Sequence, residues 1–190
     1  MKPGLLIVIS GPGAVGKDTL IERLQERHPE LRYSVSYTTR PPRQTEVDGE
    51  HYTFVDRAEF QRLVEEGEFL EHAVVNGHCY GTSAARVAKL QEAGHDVILK
   101  IDVQGQDQVR AKRPDGVYVF LAPPSMEELW RRRVGRGAEP PEVLQARQDL
   151  AKWEMSFADH YDHVVVNDDL DRALHEVEEL LDAERAARAT

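Results

Sequence analysis

The chain has a single cysteine, Cys79, among 190 residues, so it forms no internal disulfide. It also lacks long apolar runs. The stretch 5–9 near the start is five residues, too short to cross a bilayer or to serve as the core of a signal peptide. Positive charge is in short supply: 24 lysines and arginines stand against 34 aspartates and glutamates, a formal net charge of −10. That balance argues against nucleic acid or an anionic membrane as the partner, because both demand a net positive surface. A local cationic pocket for a small anion remains compatible with it. No HExxH is present and no histidine stands at metal-ligand spacing from the cysteine; His160 and His163 share a helix-like offset but are not read as a metal pair. Repeats and low-complexity tracts are missing too. With 41% apolar and 31% charged residues, the expectation is a globular protein with one sizeable core, in a reducing, cytoplasmic setting.

What is present alternates. Apolar or β-branched runs at 5–9, 96–101, 117–121 and 163–166 each precede a helix-like stretch, at 17–27, 104–111, 126–134 and 170–188. Continuous apolar strands followed by amphipathic helices predict βαβ units, hence an α/β fold with a parallel sheet covered on both faces. In the last helix Leu170, Leu174, Val177, Leu180 and Leu181 form one stripe, which is core packing. The pattern breaks between about 34 and 94. A turn-rich stretch with Pro41, Pro42 and Gly49, an acidic helix near 57–66 and a hairpin-like 74–81 predict an inserted subdomain. A second insertion is expected at 131–150, where Arg131, Arg132, Arg133 and Arg136 precede Gly137 and Pro140-Pro141.

The sharpest signal follows the first strand: Gly11-Pro12-Gly13-Ala14-Val15-Gly16-Lys17-Asp18-Thr19, then a helix. Glycines let the backbone turn so tightly that successive N–H groups point inward at phosphate oxygens. The helix adds its N-terminal donors and dipole, and Lys17 adds a point charge. The residue after the lysine is ordinarily Ser or Thr, whose hydroxyl helps to hold Mg²⁺; here it is Asp18. A carboxylate beside a triphosphate is electrostatically awkward unless it faces a metal or a cation, which makes Asp18 the metal-ligand candidate.

A second anion site is suggested by Ser36-Tyr-Thr-Thr-Arg40-Pro-Pro-Arg43, two guanidinium forks three residues apart on a proline-stiffened loop. Converging with the hydroxyls of Tyr52 and Tyr80, they could hold a phosphate monoester with directional hydrogen bonds.

Taken together, the blocks GPGAVGKDT, SYTTRPPR, EVDGEHYTFV, GEFLEHAVVNGHCYGT, IDVQG, GRGAE and VVVNDDLD resemble guanylate kinases, in order from about residue 4 to residue 182. The resemblance implies a P-loop NTPase-type parallel sheet flanked by helices, with a mixed α+β GMP-binding insertion and a helical lid. It assigns 1–33, 93–125 and 152–190 to the core, 34–92 to GMP binding and 126–151 to the lid. It further implies the reaction ATP + GMP = ADP + GDP with Mg²⁺, in a monomer or homodimer. The positions matching Arg40, Arg43, Tyr52 and Tyr80 hold the GMP phosphate; those matching Ser36, Glu71, Thr82 and Asp102 surround guanine. Lys17, Arg40 and the lid and hinge arginines Arg132, Arg136 and Arg147 match the catalytic positions, whereas Arg131 and Arg133 are expected on solvent.

Chemistry agrees with that assignment. Guanine offers N1–H and N2–H₂ donors on one edge, so an ionised Glu71 can accept from both, while hydroxyls of Ser36 and Thr82 suit the O6 acceptor. Adenine has an acceptor at N1 and no amino group at C2, and would leave the carboxylate unpaired. Two departures from the family pattern stand out: Asp18 replaces Ser or Gly, and Lys100 replaces an acidic residue two positions before Asp102. The two are expected to compensate as a pair. Two other readings compete. One is a ribose bisphosphate phosphokinase, some of which share a Gly-Lys-Asp loop; the other is a non-catalytic guanylate-kinase-like binding module, which has lost the phosphate loop.

Overall fold

The computed structural model describes residues 3–134 and 141–189. Strand β1 (Leu6–Ser10) leads through the glycine-rich loop into α1 (Lys17–Arg27). Then follow β2 (Arg32–Tyr33), β3 (Tyr37–Thr38), β4 (Thr53–Phe54), α2 (Arg57–Glu65), β5 (Phe69–Val75), β6 (His78–Ser83) and α3 (Ala84–Glu92). The chain continues with β7 (Val97–Lys100), α4 (Val103–Lys112), β8 (Val117–Ala122), α5 (Met126–Val134), α6 (Pro141–Met155), β9 (His163–Val166) and α7 (Leu170–Ala189). The alternation expected from the apolar runs is therefore present. The region 131–150, expected as an insertion, is largely helical: α5 ends at Val134 and α6 begins at Pro141.

Two compact units divide the chain, Met1–Leu6 with Glu30–Gly116 and Ile7–Pro29 with Val117–Thr190, and β1 starts in one and ends in the other. In the second unit β1 pairs parallel with β8, and β8 with β9. Every residue of β1 and β8 is buried, as continuous apolar runs demand when helices cover both faces. Burying a side chain such as Ile7 or Leu121 stabilises the fold by about 1.5–3 kcal/mol. Along β9 burial becomes irregular, with Val164 and Val166 exposed as on an edge. Helix α7 packs on α1 and β9 and buries Ala173, Leu174, Val177 and Leu181; Leu170 and Leu180 of the expected stripe are half-buried. His160 lies in a 3₁₀ turn and His163 in a strand, so they share no helical face.

In the first unit β2 pairs parallel with β7, and the Val97 N–H donates to the Leu5 carbonyl just before β1. Helix α3, capped by Ser83, packs on β7. The turn-rich middle folds into a four-stranded sheet in the order β4-β3-β6-β5 with α2 against β5. Its hairpin is longer than the expected 74–81, running from Phe69 to Ser83. The turn is Asn76-Gly77, both at positive φ, the geometry that matches strand twist in a two-residue hairpin. Phe60, Leu63 and Phe69 form the apolar centre here. Cys79 packs beside them as a small apolar neighbour.

Candidate functional site

The glycine-rich loop lies wholly in the second unit. Gly11, Ala14 and Gly16 all adopt positive φ, at 146°, 70° and 106°. A Cβ at Gly11 would collide with the Leu121 carbonyl, and one at Gly16 would sit 2.6 Å from the Asn167 amide nitrogen. Glycine is required at both places. Helix α1 starts from Gly16 with no side-chain cap, which leaves the positive end of its dipole to the loop. The Lys17 ammonium donates to the carbonyls of Gly11 at 2.5 Å and Pro12 at 3.1 Å, arching over the loop. Val15 is buried, while Pro12, Gly13 and Ala14 form the turn, closed by Val15 N–H to the Pro12 carbonyl. Asp18 and Thr19 are exposed on the first turn of α1.

Two residues outside the motif hold this loop. Asn167, buried after β9, donates to the Val15 carbonyl at 2.8 Å. The buried Glu154 of α6 accepts from the Gly13 N–H at 3.3 Å. Sequence reasoning overlooked both, although Asn167 stands in the block VVVNDDLD. Glu154 carried no local signal.

Among the arginines, Arg132 is half-buried and donates to Glu128 at 2.9 Å. Arg131, mostly exposed as expected, donates to the same carboxylate at 2.8 and 2.9 Å. The two guanidinium groups hold Glu128 well below the usual carboxylate range, Arg131 contributing most. Arg147 is exposed on α6. Arg136 lies outside the described residues.

In the first unit the structure brings Arg40, Tyr52 and Tyr80 together. The Arg40 guanidinium carbon lies 5.5 Å from the Tyr52 ring centroid, and the Tyr52 and Tyr80 rings meet edge-on at 5.9 Å. A carboxylate that sequence reasoning overlooked completes the group. One Arg40 nitrogen donates to both oxygens of Glu46, at 2.7 and 2.9 Å. Glu46 also accepts from the Arg43 backbone N–H at 2.8 Å, while the Arg43 side chain is exposed. These bonds raise Arg40 and lower Glu46 from their ordinary pKa values. The signal for Glu46 was its place six residues after Arg40 in the same stiffened loop. Lys100 faces the same aromatic group, its ammonium 5.8 Å from the Tyr33 ring centroid and 6.0 Å from that of Tyr52.

Glu71 is 4% exposed on β5 and accepts from the Thr82 hydroxyl of β6 at 2.6 Å. Burial raises its pKa to about 7, the Thr82 hydrogen bond opposing and the Asp102 charge adding to the rise. Its carboxyl is thus balanced between forms at neutral pH rather than fully ionised. The Thr82 proton, expected to reach toward an O6 acceptor, is given to Glu71 instead. Asp102 caps α4, accepting from the Gln104 N–H at 3.0 Å. Ser36 is buried immediately before β3, and its carbonyl accepts from the Thr53 N–H. Glu71, Thr82 and Asp102 therefore form one polar group at the junction of β5, β6 and α4.

Comparison with known proteins agrees with this geometry. The family model described as guanylate kinase matches residues 4–184. A guanylate kinase of Frankia casuarinae is 49% identical over 90% of this chain and 92% of its own length. One from Caldanaerobacter subterraneus subsp. tengcongensis is 47% identical over 97% of this chain and 89% of its own. The crystal structure of a guanylate kinase from Anaplasma phagocytophilum superposes with a TM-score of 0.78 at 36% identity, covering 97% of this chain and 87% of that one. With a family match along nearly its whole length and relatives 47–49% identical, the chain belongs to the guanylate kinase family.

Proposed function

We propose that this chain, a guanylate kinase that carries out ATP + GMP = ADP + GDP, performs the transfer with the residues its motifs single out. The loop from Gly11 to Thr19, through its backbone N–H groups other than at Pro12, and the Lys17 ammonium hold the ATP phosphates. Arg40, Arg43, Tyr52 and Tyr80 hold the GMP phosphate, and Ser36, Glu71, Thr82 and Asp102 surround guanine. Arg132, Arg136 and Arg147 neutralise the transferring phosphoryl group. Residues 34–92 serve as the GMP-binding part and 126–151 as the lid, on a core formed by 1–33, 93–125 and 152–190.

GMP already carries an anionic phosphate oxygen at neutral pH, so no general base or covalent intermediate is needed. Rate enhancement comes from positioning and charge stabilisation. The observation that carries the reading is the buried Glu71–Thr82 pair. A carboxylate placed there at a cost in desolvation is recovered by a ligand edge that offers two donors, as guanine does.

Magnesium fits the residues in a limited way. Among the described residues no cluster of three or more His, Cys, Asp or Glu could hold a metal. Mg²⁺ commonly keeps water and substrate phosphates and takes one or two protein oxygens, for which Asp18 is placed at the start of α1. When bound with ATP it supplies charge neutralisation at the phosphates. The chain is proposed to act in the cytoplasm as a monomer or homodimer, with no nucleic-acid or membrane partner. No described helix is long and apolar enough to cross a membrane.

The test is ADP formation from ATP and Mg²⁺ with GMP, AMP, CMP, UMP and ribose 1,5-bisphosphate as acceptors. Turnover with GMP alone supports the reading. Turnover only with the ribose compound would move the chain to the neighbouring phosphokinases; absence of both ATP binding and turnover would point to the binding module, and ATP binding without turnover would implicate the Asp18 and Lys100 departures.

A further inference from the structure

Three residues on one face of α4 surround the strand position of Glu71. Gly105, Gln108 and Lys112 are spaced i, i+3, i+7, so they line up along the helix. A Cβ at Gly105 would stand 2.5 Å from a Glu71 oxygen and 3.0 Å from its carboxyl carbon, so only glycine leaves room for the carboxylate. Gln108 fixes the backbone just after Glu71. Its amide donates to the His72 carbonyl at 2.8 Å and accepts from the His72 N–H at 3.2 Å. Lys112 fixes the backbone just before it. Its ammonium donates to the carbonyls of Phe69 and Leu70, both at 2.9 Å.

Those two carbonyls lie at an irregularity in the ladder. Phe69 pairs with Ser83 and Glu71 with Thr82, so β5 spends two residues where β6 spends one. Such a bulge re-aims the side chains that follow it. Phe69, Leu70 and Glu71 are consequently all buried, where a regular strand would alternate. Phe69 enters the Phe60–Leu63 cluster while Glu71 meets Thr82 and α4.

We propose that Lys112 is a positioning residue for guanine selection, holding the β5 bulge so that Glu71 is aimed at the base and supplying the positive charge that favours its ionised form. This rests on Glu71 reading guanine. Of the charges that act on the Glu71 carboxyl, Asp102 opposes ionisation and Lys112 favours it. From β6 the Thr82 hydroxyl and backbone N–H both donate to it. Losing Lys112 therefore removes a charge that favours the carboxylate and leaves the Asp102 charge opposing it.

The experiment compares Lys112→Met, Lys112→Gln, Lys112→Arg and Glu71→Gln with the wild type. KM for GMP and for ATP and kcat are measured from pH 5.5 to 9. Glutamine keeps amide donors for the two carbonyls but removes the charge. Arginine keeps the charge. Lys112→Met and Lys112→Gln are expected to raise the GMP KM about tenfold at neutral pH and to move the acid limb of kcat/KM for GMP upward by about half a pH unit or more. Lys112→Arg should keep the wild-type limb, and the ATP KM should change less than about twofold in all. An unmoved acid limb in a folded Lys112→Gln, or equal losses for ATP and GMP, would overturn the proposal. If Lys112→Met does not fold, Lys112→Gln carries the test. An undiminished GMP response in Glu71→Gln would instead overturn the base-reading role itself, separately from Lys112.

Discussion

Arg40 gives one guanidinium nitrogen to both oxygens of Glu46, at 2.7 and 2.9 Å, with both side chains largely shielded from water. The pair sets where the Arg40 fork points. Because Glu46 also accepts the Arg43 amide, it ties the two arginines of the loop to one anchor. Glu46→Gln should raise the GMP KM about tenfold and leave the ATP KM unchanged, as a lost charge-assisted bond on one substrate's side requires. Steady-state kinetics with each substrate varied in turn checks this. An unchanged GMP KM would show that Arg40 holds its direction without Glu46.

Glu71 contributes to stability with the sign of a raised acid. Its carboxyl titrates near 4.5 in an unfolded chain and at about 7 in the folded one. Its favourable contribution is therefore complete below about pH 4.5 and is lost as pH rises through 7. Glu71→Gln should be more stable than the wild type at pH 8, by on the order of 3 kcal/mol at most, and nearly equal to it at pH 4.5. Denaturant unfolding at the two pH values measures the difference. Parallel curves at both would mean that the folded carboxyl is not raised.

Lys17 is held by its own loop, at 2.5 Å from the Gly11 carbonyl and 3.1 Å from that of Pro12. Lys17→Met should lower kcat by about a thousandfold or more through lost charge at the ATP phosphates. The circular dichroism spectrum should stay native, because the lysine is half-exposed and contributes little to the core. Retained ATP turnover would remove Lys17 from the transfer.

Asn167 tests the loop from behind. Its amide reaches the Val15 carbonyl at 2.8 Å in a buried setting. Asn167→Ala should cost about 1–3 kcal/mol by leaving that carbonyl unpaired, and should raise the ATP KM more than the GMP KM. Thermal unfolding and the two KM values report the two effects separately. If the GMP KM rose more, the amide would not be acting through the loop.

Much of this molecule was legible in the residue order because its signals are local. A five-residue apolar run, two glycines that only a tight turn needs and a lysine at the next position specify strand, loop and helix with no help from elsewhere. Continuous burial of β1 and β8 follows from runs with no polar interruption. The limits of the Phe69–Ser83 hairpin were harder to read. Its outer residues, Phe69 to Glu71 and Thr82 to Ser83, mix polar and apolar types, and a bulge breaks the alternation that marks a strand. Asn76-Gly77 was the local sign of its turn. The resemblance implied a helical lid here, but the start of α6 was not legible behind Pro140-Pro141, although proline at a first helical position is compatible with a helix start.

Tertiary structure decided what the side chains are worth. Glu46, Glu154, Asn167 and Lys112 look like ordinary surface residues in the sequence. Each gains its role from partners distant in the chain or from the turn of a loop: Glu154 meets Gly13 across 141 positions, Asn167 meets Val15 across 152, and Lys112 meets Phe69 across 43. The same holds for the ionisation of Glu71. Residue type sets its ordinary acidity, but burial, the Thr82 hydroxyl and the charges of Asp102 and Lys112 decide where it titrates. Sequence alone determined the backbone signals, since these act through neighbours within a few bonds. Desolvation and long-range pairing exist only once the chain has folded, so the electrostatics of the site had to come from the structure.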